Sequence, residues 1–228
     1  MAKKYFGRSA LEMKYVYIYC EGQTEEAFVN DILYPYFSRI GIYVQPIIHK
    51  TKRTPTKSFR GGVSKYEPIK NEIIKLCQDP NCIVTTMFDY YAMPEDTPAI
   101  TYSEIDIYKR VDFIENAVSK DIGCENLIFN LILHEFEALL FSEPQAFEYV
   151  TNDKAVKQLQ AIRNSAETPE HINNSIETAP SKRIESVVDN YSKVRQGIIV
   201  AKHIGINKML AECKHFSAWI NKIIKFTE

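Results

Sequence analysis

Three glutamates, Glu21, Glu25 and Glu26, crowd directly behind the apolar run "YVYIYC" (15–20) and flank Gly22. Acids placed where a strand gives way to a helix either complement the helix dipole or offer oxygen ligands to a hard cation. Glu25 stands four positions after Glu21, about one helical turn, so both carboxylates can face one side. Dipole complementarity explains Glu25 equally well. Glu26 is rotated by about 100° and belongs in solvent. A second acid, Asp89, follows the apolar run "CIVTTMF" (82–88), with Tyr90 and Tyr91 behind it. A third group, His134, Glu135 and Glu137, follows "NLIFNLIL" (126–133). Glu135 and Glu137 are two apart and fall on different helical faces, whereas His134 and Glu137 can share one. Glu137 is therefore expected to look inward and Glu135 toward solvent. The HEFE run is not the HExxH zinc signature, and His134 serves to cap the strand or orient a carboxylate.

These acids need a scaffold that gathers them. "YVYIYC", "IYVQPIIHK" (42–50), "CIVTTMF" and "NLIFNLIL" read as strands, and Pro46 puts the second at a sheet edge or a bulge. Helices are expected over "TEEAFVNDILYPYFSRIG", capped by Thr24 and kinked or closed at Pro35, over "YEPIKNEIIKLC" and over residues 103–122. "HEFEALLFS" begins another. Strands alternating with helices of this length predict a mostly parallel α/β sheet with flanking helices. Beyond residue 143 only helices are read. The expected division is an α/β core over 1–142 and a helical C-terminal part over 143–228, packed on that core. In "CKHFSAW" and the residues after it, Phe216, Trp219 and Ile220 take helical spacing and belong to the core.

In an open parallel sheet the carboxyl ends of the strands share one rim, where ligands bind. Carboxylates brought there from three strands repel one another and raise each other's pKa unless a cation lies between them. Mg2+ or Mn2+, which prefer oxygen ligands, are the expected cofactors.

The chain's 228 residues carry a formal charge of -1, with 28 basic against 29 acidic side chains, so the total excludes nothing about polyanions. The distribution is uneven. Residues 89–148 hold 13 acids and three bases, while Lys50, Lys52, Arg53, Lys57, Arg60 and Lys65 form a basic stretch without an acid. With Phe59 and Tyr66 to stack on unpaired bases and Gly61 and Gly62 to admit a phosphate, that stretch is the expected nucleic-acid contact. It lacks GxxxxGK[ST] and is no P-loop. In "ETAPSKR", Ser181 is expected to cap a helix whose N-terminus faces phosphate, with Lys182 and Arg183 beside it. The five cysteines show no CxxC spacing, no signal-like run follows the N-terminus, and no apolar stretch is long enough to span a bilayer. A reduced, cytoplasmic protein is expected.

"YCEGQTEEAFV", "GGVSKY", "TTMFDYYAMP", "HEFEALLF", "ETAPSKR" and "CKHFSAW", in this order, resemble a prokaryotic family of Toprim-like proteins of unassigned function. The resemblance spans nearly the whole chain. It implies a parallel α/β domain related to overcoming-lysogenization-defect-type and abortive-infection nucleases, in which a first-strand glutamate and an Asp-x-Asp hold Mg2+. Glu21 matches that glutamate, Glu25 a second acid four residues on, Asp89 the first Asp, and Glu137 a fourth-strand acid. Tyr91 stands where the second Asp would be, and a phenol is no carboxylate ligand at ordinary pH. The resulting expectation is a metal-dependent nuclease of anti-phage defence, with Glu21, Asp89, Glu137 and Lys182 acting on the phosphodiester. Glu21, Glu25, Asp89 and Glu137 would hold the metal. Gly22, Tyr91, His134 and Glu135 would support them. Expected partners are DNA or RNA, an AAA- or ABC-type ATPase and a second copy of the chain, with no membrane. The rival expectation is a non-catalytic subunit that docks on such an ATPase; a primase-like activity ranks last, since no base pocket is legible.

Overall fold

The structure is a computed structural model, described here for residues 14–49, 65–172 and 178–228. Among the described residues five strands form one sheet: β1 (Lys14–Cys20), β2 (Ile42–Ile48), β3 (Cys82–Asp89), β4 (Leu127–Ile128) and β5 (Leu131–Ile132). The order is β2-β1-β3-β4, with β5 also on β3, and every pairing is parallel. The expected α/β class is what is found. Pro46 lies in β2, at the sheet edge, where its missing N–H costs no ladder bond.

Period-two alternation sends β1 side chains to two cores. Val16, Ile18 and Cys20 join a large cluster that reaches Trp219 and Ile223, and Tyr19 joins a smaller one with Val84 and Phe88. The smaller cluster is closed by α3 (Tyr66–Leu76) and α4 (Ile107–Ile122), the larger by the N-terminal and C-terminal helices.

The segment after β1 is not one helix. It runs as α1 (Gln23–Phe28), a π turn (Val29–Leu33) and α2 (Tyr34–Ser38). Pro35 cannot donate and its ring would strike the carbonyl four residues back. The wider turn lets the helix pass through, with the Tyr34 N–H reaching the Val29 carbonyl. Gly22, not Thr24, is the N-cap, because the Glu25 carboxylate accepts the Gly22 N–H at 2.9 Å.

The fourth predicted strand is cut into β4 and β5. The Thr86 hydroxyl accepts the Asn130 N–H at 2.8 Å and donates to the Asn130 carbonyl at 2.7 Å, while the Leu131 N–H goes to Glu115 at 2.8 Å. Side chains thus take bonds that a continuous ladder would have used. The HEFEALLFS segment is a 3-10 helix over Phe136–Ser142 with all seven residues buried, followed by another over Pro144–Tyr149.

Beyond these lie α5 (Asp153–Asn164), α6 (Pro180–Glu185), a π turn (Lys193–Gly197), α7 (Ile198–Ile204), α8 (Ile206–Glu212) and α9 (Lys214–Thr227), and the described residues there hold no strand. Phe216, Trp219 and Ile220 are core, as their spacing predicts. Trp219 donates its indole N–H to Thr85 at 2.8 Å, tying α9 to β3. Extended backbone at Cys213 separates α8 from α9. Glu170, 2% exposed, takes up the freed N–H groups of His215 (3.0 Å) and Phe216 (2.9 Å) at the start of α9. Glu170→Ala strands both donors and is expected to cost about 2 kcal/mol, read by urea unfolding followed by circular dichroism. A cost near zero would show the cap to be replaceable by solvent.

The five cysteines are free. Among the described residues no helix is long and apolar enough to cross a membrane.

Candidate functional site

The carboxyl rim of the sheet carries a cleft of about 740 Å³, lined by Glu21, Asp89, Tyr91, Ala92, Glu135, Ala179, Ser181, Lys182, Glu185 and Lys193. Glu21 leaves β1 beside β3, its N–H directed at the Met87 carbonyl (3.4 Å). Asp89 ends β3, and its Oδ1 accepts the Phe136 N–H at 2.9 Å. Parallel pairing of neighbouring strands therefore brings residues 68 positions apart to one rim.

Burial and then the nearby Glu25 push the Glu21 carboxyl up to about 7, against the opposing pull of the Asp89 backbone N–H and Lys193. Its Oε2 is buried without a hydrogen-bond partner among the described residues. Asp89 is raised well above the ordinary range by burial, then by Glu25, Glu21 and Glu137. Glu25, 7% exposed, is raised by burial, and its Oε2 is engaged in capping α1.

The HEFE acids correct the helical-wheel expectation. Glu135 precedes the 3-10 helix in extended backbone, so helical rotation does not govern it. It lines the cleft and accepts the Ser181 N–H at 2.9 Å. That bond occupies the start of α6, where Ser181 is buried and provides no side-chain cap, so the expected phosphate-facing N-terminus is already filled. Glu137 is fully buried beneath, its Oε1 unpartnered among the described residues and its carboxyl raised by burial to about 7.

Lys193, which the sequence reading passed over, is the cation at the centre of these acids. Its Nζ lies 3.1 Å from Glu137 Oε2 and 3.9 Å from Glu135 Oε1. Burial opposes its charge, but Glu137, Glu135 and Asp89 outweigh burial and hold its pKa above the ordinary lysine value. No local motif marks it. The sequence signal is a stretch over residues 193–225 with seven Lys/Arg against Glu212 alone, and the π turn Lys193–Gly197 that carries it packs its Gly197 against Phe136 and Leu140.

Lys182 lines the cleft but is paired with Glu185 at 2.6 Å. Arg183 gives its Nε–H to the Thr178 carbonyl at 2.9 Å and is not among the cleft-lining residues. Tyr66 is buried with its hydroxyl on Asp121, so it offers no stacking face as expected of it. Lys65 is exposed ahead of α3. Lys50, Lys52, Arg53, Lys57 and Arg60, with Phe59, Gly61 and Gly62, lie outside the described residues.

Fold and site define a mostly parallel α/β protein whose sheet rim holds an acidic cleft braced by Lys193. The profile of the family described as "Domain of unknown function (DUF4276)" matches residues 20–224, and the chain belongs to that family. No curated protein matches it. Among solved structures it is similar to the C-terminal region of the Burkholderia pseudomallei OLD protein, at 16% identity and TM-score 0.44 over 93% of this chain and 98% of that one. It is also similar to the corresponding region of the Xanthomonas campestris pv. campestris OLD protein, at 14% identity and TM-score 0.43 over 95% of each.

Proposed function

We propose that this chain is a Mg2+- or Mn2+-dependent nuclease that hydrolyses phosphodiesters in the acidic cleft. The observation that carries the reading is the shared cleft of Glu21 and Asp89, with Glu21 Oε2 buried and, among the described residues, unpartnered. Among the described residues no three Asp, Glu, His or Cys side chains form a ready-made ligand cluster. A two-carboxylate seat nevertheless fits Mg2+, which keeps several waters and binds through one or two carboxylates plus substrate phosphate. Glu21 and Asp89 would hold the ion, with Glu25 and Glu137 adding negative field from behind. A bound ion supplies Lewis-acid activation of the phosphodiester and of the attacking water.

The chain's own groups divide the remaining work. Glu21, raised to about 7 by burial and by Glu25 in the metal-free protein, would give up its proton to take the ion, so that ion binding is expected to tighten as pH rises through neutrality. Lys193 places a fixed positive charge beside the acids, where negative charge builds on the phosphoryl group. Lys182 lies at the rim, able to leave Glu185 for a backbone phosphate. The setting of anti-phage or abortive-infection defence, a cytoplasmic location and an ATPase partner rest on the sequence resemblance.

Two points favour the rival reading of a non-catalytic docking subunit: by the sequence resemblance Tyr91 stands where a second Asp would be, and Lys193 already neutralises part of the acidic cluster. Purified protein with Mn2+ and labelled DNA, RNA and tRNA separates the two. Cleavage lost in both Glu21→Ala and Asp89→Ala is the expected result. Absence of cleavage, or cleavage that survives both changes, would favour the docking role.

A further inference from the structure

The acids at the rim are not equally free to take an ion. Glu25 Oε2 accepts the Gly22 N–H and Glu135 Oε2 accepts the Ser181 N–H, both at 2.9 Å. The other oxygen of Glu135, and Glu137 beneath it, face Lys193. Its Nζ lies 3.9 Å from Glu135 Oε1 and 3.1 Å from Glu137 Oε2, so one ammonium bridges two carboxylates as a divalent ion would. Glu21 and Asp89 remain, side by side in the cleft.

Lys193 does not reach these acids on a loose segment. The Ser192 N–H donates to Gln196 Oε1 at 2.7 Å and the Gly197 N–H to the Ser192 carbonyl at 3.2 Å, closing the π turn around it. A Cβ added at Gly197 would lie 3.6 Å from the Phe136 ring and 2.7 Å from the Tyr191 hydroxyl. Phe136 is the residue between the two glutamates, so the turn is seated on the very segment that carries them. The charge of Lys193 also acts on Glu21 and Asp89, pulling both carboxyls down against burial.

Sites that cut phosphodiesters with two metal ions hold them about 3.5–4 Å apart, one for the attacking oxygen and one for the leaving oxygen. A fixed ammonium within hydrogen-bond range of Glu137 repels a divalent ion at that pair of acids, and the same oxygens cannot serve both cations. We infer that Lys193 stands in for the second ion of such a site, so that the cleft binds a single divalent ion, at Glu21 and Asp89. The inference rests on the nuclease reading for the presence of that ion, and adds its number and the identity of the second cation. An ammonium carries no ionisable water, so Lys193 supplies charge and no nucleophile.

The test counts ions and needs no turnover. Mn2+ is titrated into the full chain at about pH 8, where ordinary carboxyls are ionised, and the free ion is read by electron paramagnetic resonance. Asp89→Asn gives the count of ions held elsewhere on the surface. Wild type is expected to hold one ion more than Asp89→Asn, and Lys193→Ala, with its fold checked by circular dichroism, two more. Added Mn2+ is also expected to raise the melting temperature of Lys193→Ala by more than that of wild type, because Glu135 and Glu137 regain a cation. Two ions in wild type overturn the inference and leave the nuclease reading standing, and that count holds whatever the fold of the variant. A folded Lys193→Ala that gains no second ion also overturns it, since something other than the lysine then keeps the ion out. No ion in wild type beyond the Asp89→Asn count sinks the metal-dependent reading and the inference with it. One ion in wild type and two in Lys193→Ala, with no cleavage of labelled DNA, RNA or tRNA, would sink the nuclease reading alone.

Discussion

Asp89→Asn is expected to reduce cleavage on the order of 10³-fold, the several kcal/mol that a metal ion contributes to transition-state charge stabilisation. The same change is expected to raise the stability of the metal-free protein at about pH 8. Both follow from one geometry. Asn keeps an oxygen for the Phe136 N–H that Asp89 Oδ1 now accepts at 2.9 Å, so the start of the 3-10 helix stays satisfied. What disappears is a negative charge that Glu25, Glu21 and Glu137 all repel. An acid placed for packing alone would show neither effect, and one placed for stability would show a loss on substitution. Steady-state cleavage and urea unfolding in EDTA, on the same two proteins, give both numbers.

Lys193→Met, which keeps most of the aliphatic stem, is expected to lower cleavage about 10² to 10³-fold, the range found when one preorganised donor to a developing charge is removed. It should also cost about 3 kcal/mol at roughly pH 8, because Glu137 is left buried without its partner. The penalty should shrink toward about pH 5.5, where a buried carboxyl escapes by taking up a proton. Thermal unfolding across that range tests it: a pH-independent loss would mean that Lys193 acts through packing and not through Glu137. Lys193→Arg restores charge but not the 3.1 Å approach, and partial recovery of cleavage is expected.

The sequence made the fold class and two of the acids legible for simple reasons. Apolar runs ending in Glu21 and Asp89 are strands whose carboxyl ends a parallel sheet brings to one rim. What it hid was settled by contacts between distant segments. Thr86 and Glu115 break the fourth strand by taking up the Asn130 and Leu131 backbone, which no local pattern announces. Helical rotation misplaced Glu135 because that residue precedes its helix. Ser181 was misread as a cap because the partner of its N–H lies 46 positions away, at Glu135. Lys193 went unseen because it reaches the site from a π turn in the C-terminal half.

The central claim is that a divalent ion relieves the repulsion gathered at this rim. Glu21 and Glu137 stand at about 7 instead of the ordinary 4.5. Carboxyls raised in the folded state leave stability intact below about pH 4.5 and remove it as pH climbs through 7, up to roughly 3 kcal/mol for each group. Melting temperature with and without Mg2+ or Mn2+, at about pH 5.5 and pH 8, for wild type and Asp89→Asn, is the most direct test. The account predicts an upward shift in wild type that is larger at the higher pH and absent in Asp89→Asn; no shift in wild type, or the same shift in both proteins, would contradict it.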